Sequence, residues 1–128
     1  MSDPREMSGV WYGRYVSTSD AQDNGFIALL EEAGGVFSGS VSEPDGRGGI
    51  RSASVAGRRS GGLIQFVKQY RGRWNHAVFY EGQVDARGTV VSGVWRIDDG
   101  TTGGFDMQRE KFSTEELEER IEDSLEIR

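Results

Sequence analysis

Between residues 9 and 110 the chain is a succession of short segments that alternate apolar and polar residues, each broken by glycine beside a charged or polar residue. The two-residue period is that of half-buried strands. It predicts eight strands, at about 9–17, 25–32, 35–43, 50–57, 62–70, 76–85, 89–97 and 102–110. Asp23-Asn24-Gly25, Gly34-Gly35, Asp45-Gly46, Gly61-Gly62, Arg87-Gly88 and Asp98-Asp99-Gly100 supply the positive-φ positions of tight turns between them. Eight strands on short turns close most simply into an antiparallel up-and-down barrel, which removes exposed sheet edges. Such a barrel is just wide enough to be filled by side chains or to hold one small molecule. An open sandwich is the competing architecture, and the short connections favour the barrel. The nineteen glycines point the same way, because each interior glycine costs a helix about 1 kcal/mol relative to alanine.

The organisation expected is an N-terminal tail at 1–8, a β-barrel domain at 9–111 and an acidic C-terminal α-helix at 112–128. Phe112, the N-cap Ser113 and Glu116 form a staple and capping box, and Leu117, Ile121 and Leu125 make one narrow apolar stripe. Segment 113–128 holds seven acids and two arginines, whereas residues 46–80 hold seven basic residues and no acid. That basic run suits either a polyanion such as nucleic acid or, as the ordinary reading, a solvated strand face with arginine-bearing loops. The acidic segment is a third candidate to lie across it.

Several chemistries are excluded. The chain has no cysteine, hence no disulfide, thiolate metal site or thiol catalysis. No apolar run approaches the about 20 residues of a membrane helix. The N-terminal residues carry no apolar signal region, which makes a cytoplasmic location the expectation. No phosphate-binding glycine motif opens a helix after a strand. A single histidine and no clustered carboxylates leave no metal constellation, and no cofactor is expected.

Strand parity sorts side chains between barrel interior and exterior. The more apolar, inward sets are Trp11, Gly13 and Tyr15; Phe37, Gly39, Val41 and Glu43; Ile64, Phe66, Lys68 and Tyr70; His76, Val78, Tyr80 and Val84; Val91, Gly93, Trp95 and Ile97; and Gly103, Phe105, Met107 and Arg109. Within these sets Glu43, Lys68, Tyr70, His76, Tyr80 and Arg109 place polar groups where an unpaired charge is expensive. A bland reading puts them at wetted barrel ends, with Glu43 and Lys68 a structural ion pair and His76 a hydrogen-bonded interior histidine. The sharper reading takes Tyr15, Glu43, Lys68, Tyr70, His76, Tyr80 and Trp95 as the lining of a ligand site, aromatic walls with a few convergent polar groups. There Lys68 or His76 meets an acidic group and Glu43 meets a donor.

On the outer faces Val10, Tyr12, Val16, Leu63, Val67, Phe79, Val90 and Val94 make more apolar surface than a lone barrel normally exposes. The C-terminal stripe is one cover for it, and a homo-oligomer, most simply a dimer, is another.

The opening Gly9-Val10-Trp11 resembles the Gly-x-Trp start of the calycins, the lipocalin, fatty-acid-binding and avidin-like barrels. Gly93-Val94-Trp95, Phe66 to Tyr70, Tyr80-Glu81-Gly82 and Gly104-Phe105 resemble small bacterial avidin-like domains of unassigned function. The resemblance implies that Trp11 packs at one barrel end beneath a basic side chain of the last strand, a part Arg109 is placed to play. The chain departs from biotin-binding avidins in holding only Trp11, Trp74 and Trp95 and in lacking an assignable set of ureido-binding polar residues, so the resemblance speaks for fold rather than for biotin.

Three functions stay open on these residues. The first is a barrel that binds a small polar or anionic molecule. The second is an interaction module using the basic stretch 47–73 and the acidic helix. The third is a small barrel enzyme using Lys68, Glu43 and Tyr80 as an acid–base set.

Overall fold

A computed structural model describes residues 3–17, 20–72 and 76–110. The strands are β1 (Gly9–Ser17), β2 (Asp20–Ala33), β3 (Val36–Pro44), β4 (Ile50–Ser60), β5 (Leu63–Tyr70), β6 (Ala77–Val84), β7 (Val90–Arg96) and β8 (Thr102–Gln108). Each pairs antiparallel with the next, and β8 returns to pair with β1, so the sheet is a closed eight-stranded barrel. The expected C-terminal helix at 112–128 lies outside the described residues.

Side chains alternate as the sequence pattern requires. Trp11, Phe26, Ala28, Leu30, Phe37, Val41, Ala53, Val55, Ile64, Phe66, Val78, Tyr80, Val91, Trp95, Phe105 and Met107 are all buried. At mid-barrel Phe66 stacks on Tyr80 with ring centroids 4.4 Å apart, and Phe105 meets Tyr80 edge-on at 4.9 Å. Gly13 sits directly beneath the Phe26 ring, where an added Cβ would come 2.2 Å from it. A side chain at that position would require the Phe26 ring to shift.

The β2–β3 connection is the tight turn expected, with Gly34 at φ 60° and Gly35 at φ 83°. The Asp23-Asn24-Gly25 turn is a correction. Those residues continue β2, with Asn24 opposite Tyr15 and Gly25 opposite Arg14, and the connection falls at residues 18–19. The physical reason is pairing: β8 holds β1 through Ser17, and a turn at 23–25 would leave residues 14–17 with no partner on their other side.

The barrel end bearing the starts of β1, β3, β5 and β7 is shut. Met7, from the segment expected to be a tail, is fully buried and its carbonyl accepts a hydrogen bond from Trp11 Nε1 at 2.9 Å. The Arg109 guanidinium lies 4.0 Å from the Trp11 ring centroid. It donates to the carbonyls of Gly88 (2.8 Å), Ser8 (2.6 Å) and Glu6. Beside it Arg59 makes a two-pronged pair with Glu32, both contacts at 2.8 Å, and Glu32 also accepts from the Met7 amide. A guanidinium with its donors filled is a tolerable buried charge, and its planar face suits an indole.

Candidate functional site

The opposite end, where β3 and β5 finish and β4 and β6 begin, carries the polar interior. Glu43 sits one residue before the end of β3 and Lys68 two before the end of β5. Inward parity fixes both side chains, at 3% and 2% exposure, among rings rather than in water. Lys68 Nζ lies 4.8 Å from the centroid of Tyr15, 4.7 Å from Tyr70, 5.5 Å from Tyr80 and 5.9 Å from Phe26. It is therefore caged by the negative faces of aromatic rings, which attract a cation most strongly where water is scarce.

Glu43 lies between two cations. Its Oε1 accepts from Arg51 Nε at 3.0 Å, and its Oε2 is 3.6 Å from Lys68 Nζ. That Oε2 is buried and has no hydrogen-bond partner among the described residues. Arg51 in turn lies 4.6 Å over the Tyr70 ring. Two cations against one carboxylate leave the cluster with an excess of positive charge.

The electrostatics follow from burial. Desolvation brings the Lys68 ammonium down to about 8; Glu43 works against this fall and Arg51 with it. Burial first, and then the Glu43 carboxylate, hold the Tyr70 hydroxyl well above its ordinary range. Tyr15 and Tyr80 are raised for the same two reasons in the same order. The three phenols are thus neutral hydrogen-bonding groups across any physiological pH.

The structure brings together five of the seven residues expected to line the site: Tyr15, Glu43, Lys68, Tyr70 and Tyr80. Trp95 borders it, edge-on to Tyr15 at 6.1 Å, but its Nε1 donates to the Val16 carbonyl at 3.1 Å and is spent on structure. His76 corrects the parity reading. It precedes β6 rather than belonging to it and is exposed, its ring resting 4.7 Å from that of Tyr70 at the rim. Its carbonyl accepts from the Tyr70 amide at 3.3 Å, but it lies outside the β6 ladder and its side chain turns out to solvent.

Arg51 and Phe26 escaped the sequence reading. Each shares parity with small or apolar inward residues, Arg51 with Ala53 and Val55, Phe26 with Ala28 and Leu30. The signal was present, but β4 has little apolar contrast between its faces. The basic run also divides: Lys68 is interior, Arg51 half-buried at the mouth and Arg59 locked at the closed end, leaving Arg47, Arg58 and Arg71 as its exposed described members.

Among the described residues no three His, Asp or Glu side chains gather as a metal site, and no helix is long and apolar enough to cross a membrane.

The fold and this interior define the class: a closed eight-stranded antiparallel barrel with a charged cluster at one end. No family model matches the chain, and no curated protein matches it, so the calycin and avidin resemblance has no counterpart at family level. Among solved structures it is similar to a redesigned β-barrel, b11L5F_LGL, with TM-score 0.74 and 13% identity over 85% of this chain and 96% of the other. It is also similar to mFAP1, a redesigned β-barrel solved bound to DFHBI, with TM-score 0.70 and 11% identity over 85% of this chain and all of that one. These likenesses establish the barrel.

Proposed function

We propose that this protein binds a small organic anion with an aromatic or otherwise flat body, at the barrel end formed by Tyr15, Glu43, Arg51, Lys68, Tyr70 and Tyr80. The observation that carries the reading is the buried cluster itself. Two cations and one carboxylate sit within aromatic walls, and among the described residues one carboxylate oxygen has no hydrogen-bond donor, with the Lys68 ammonium 3.6 Å away. A barrel stabilised for its own sake gains little from such a cluster, because hydrophobic side chains of like volume serve as well or better. An anion supplies the missing negative charge. Binding of DFHBI by a redesigned barrel of the same fold supports a small molecule as occupant.

Native mass spectrometry of the protein as purified, against the same sample denatured, tests for a co-purifying molecule. Titration with 2-naphthoate and with neutral 2-naphthamide tests the charge preference. We expect the acid to bind, the amide to bind at least tenfold more weakly, and Lys68→Met to weaken the acid by more than tenfold. Equal affinity for acid and amide, or an unchanged Lys68→Met, overturns the reading.

A second reading concerns partners. Val10, Tyr12, Ile27 and Leu29 form two adjacent cross-strand pairs on the outer wall and are 42%, 62%, 45% and 54% exposed. We propose that this face joins two copies of the chain.

A further inference from the structure

Of the chain's fifteen basic residues thirteen are arginines and only two, Lys68 and Lys111, are lysines. Arginine stands at every other described basic position: at the mouth, at the closed end and on the outer wall. Arginine keeps its proton at any physiological pH, whereas lysine is the basic side chain that can lose it and become a nucleophile. The one described lysine is the one enclosed by rings.

We propose that Lys68 captures a carbonyl, forming a Schiff base with an aromatic aldehyde whose anionic substituent is held by Arg51. The inference rests on the anion-site reading above and adds the reacting group. The Tyr15, Tyr70, Tyr80 and Phe26 rings close on Nζ at 4.7–5.9 Å, so an aromatic aldehyde reaches it by parting these rings and stacking against them. The same rings that hold an ammonium hold the iminium that replaces it, since the positive charge stays on the same nitrogen. Glu43 Oε2, 3.6 Å from that nitrogen, is placed as its counter-ion. The lowering of Lys68 to about 8 leaves about a tenth of it neutral at pH 7, roughly three hundred times the fraction of an ordinary lysine.

The step balances without oxidant or reductant. The nitrogen lone pair of the neutral amine forms the C–N bond as the carbonyl π pair moves to oxygen, and one amine proton passes to that oxygen to give a carbinolamine. The two amine hydrogens leave with that oxygen as water while the C=N bond forms. A proton from solvent then makes the iminium.

Incubation of the full chain with 4-formylbenzoate and cyanoborohydride, followed by peptide mapping, reads the adduct at each lysine. In parallel, calorimetric titration with 4-(hydroxymethyl)benzoate, which has the shape and charge but no carbonyl, reads the anion site alone. We expect Lys68 to be alkylated at least tenfold faster than Lys111 at pH 7, with a rate that levels off above pH 8 while that of Lys111 keeps rising. We also expect 4-(hydroxymethyl)benzoate to bind and to slow labelling at Lys68. Binding of the alcohol with no preferential alkylation of Lys68 overturns the carbonyl inference and leaves the anion site standing. Failure of both ligands overturns both.

Discussion

An ammonium inside a barrel is held against its own tendency to shed the proton, and Lys68 shows the conflict in one side chain. Its surroundings give it ring faces and a carboxylate 3.6 Å away, but burial still brings it from 10.5 to about 8. Below pH 8 both folded and unfolded chains carry the proton, and the folded state bears the burden of the buried charge. Between about 8 and 10.5 the folded state has released the proton while the unfolded chain still holds it. The unfolded state then binds more protons, so stability rises with pH across that window. The raised tyrosines act oppositely, and only above pH 10, where unfolded phenols ionise and buried ones do not. Denaturant unfolding of the native protein is therefore expected to show a gain of about 1.5 kcal/mol from pH 8 to 9.5. Lys68→Met, which has no proton to lose, is expected to show no such gain. An equal gain in the variant assigns the slope to another group.

At the scale of elements, the N-terminal segment is a plug rather than a tail. Met7 is fully buried, Trp11 donates to its carbonyl, and Glu32 accepts from its amide. Met7→Ala is expected to cost about 2–5 kcal/mol in denaturant unfolding, the range for a large-to-small change in a packed core. Val94→Ala, on the outer wall at 55% exposure and away from β1 and β2, is expected to change stability by about 0.5 kcal/mol or less. Similar costs for the two would mean that the plug is not seated. The contrast also shows what a sequence exposes and what it conceals. Alternation placed Glu43, Lys68 and Tyr70 inward because β3 and β5 have strong apolar contrast between faces. It placed Trp11 and Arg109 on one side of their strands, and the 4.0 Å contact joins them at the same end. It was silent on Met7, which belongs to no strand, and on Arg51, whose strand mixes serines and arginines with small apolar residues on both faces. Asp23-Asn24-Gly25 carries strong turn chemistry, yet the hydrogen bonds that β1 needs on both sides outweigh it. Parity tells which face a side chain takes; only the register tells which neighbours it meets.

At the scale of the whole molecule, the inner surface is nearly saturated and the outer one is not. Closure removes every sheet edge, so backbone pairing between barrels is not available as a route to association. What is left is side-chain contact, and the outer wall of β1 and β2 offers Val10 opposite Leu29 and Tyr12 opposite Ile27. Next to it Tyr12, Ile27, Ser42, Pro44 and Ile50 border a groove of about 460 Å³. A two-fold contact matches such a patch to itself, and a stable one needs about 800 Å² from each partner. Sedimentation equilibrium is expected to give a dimer for the native chain and a monomer for the double variant Tyr12→Glu, Leu29→Glu, since a glutamate on each outward strand would be buried unpaired at the contact. The competing cover is the chain's own segment 112–128, through Leu117, Ile121 and Leu125. Deleting that segment separates the two: a dimer that survives deletion and dissociates in the double variant places the contact on the barrel wall. A native monomer that self-associates only after deletion would instead assign the wall to the segment.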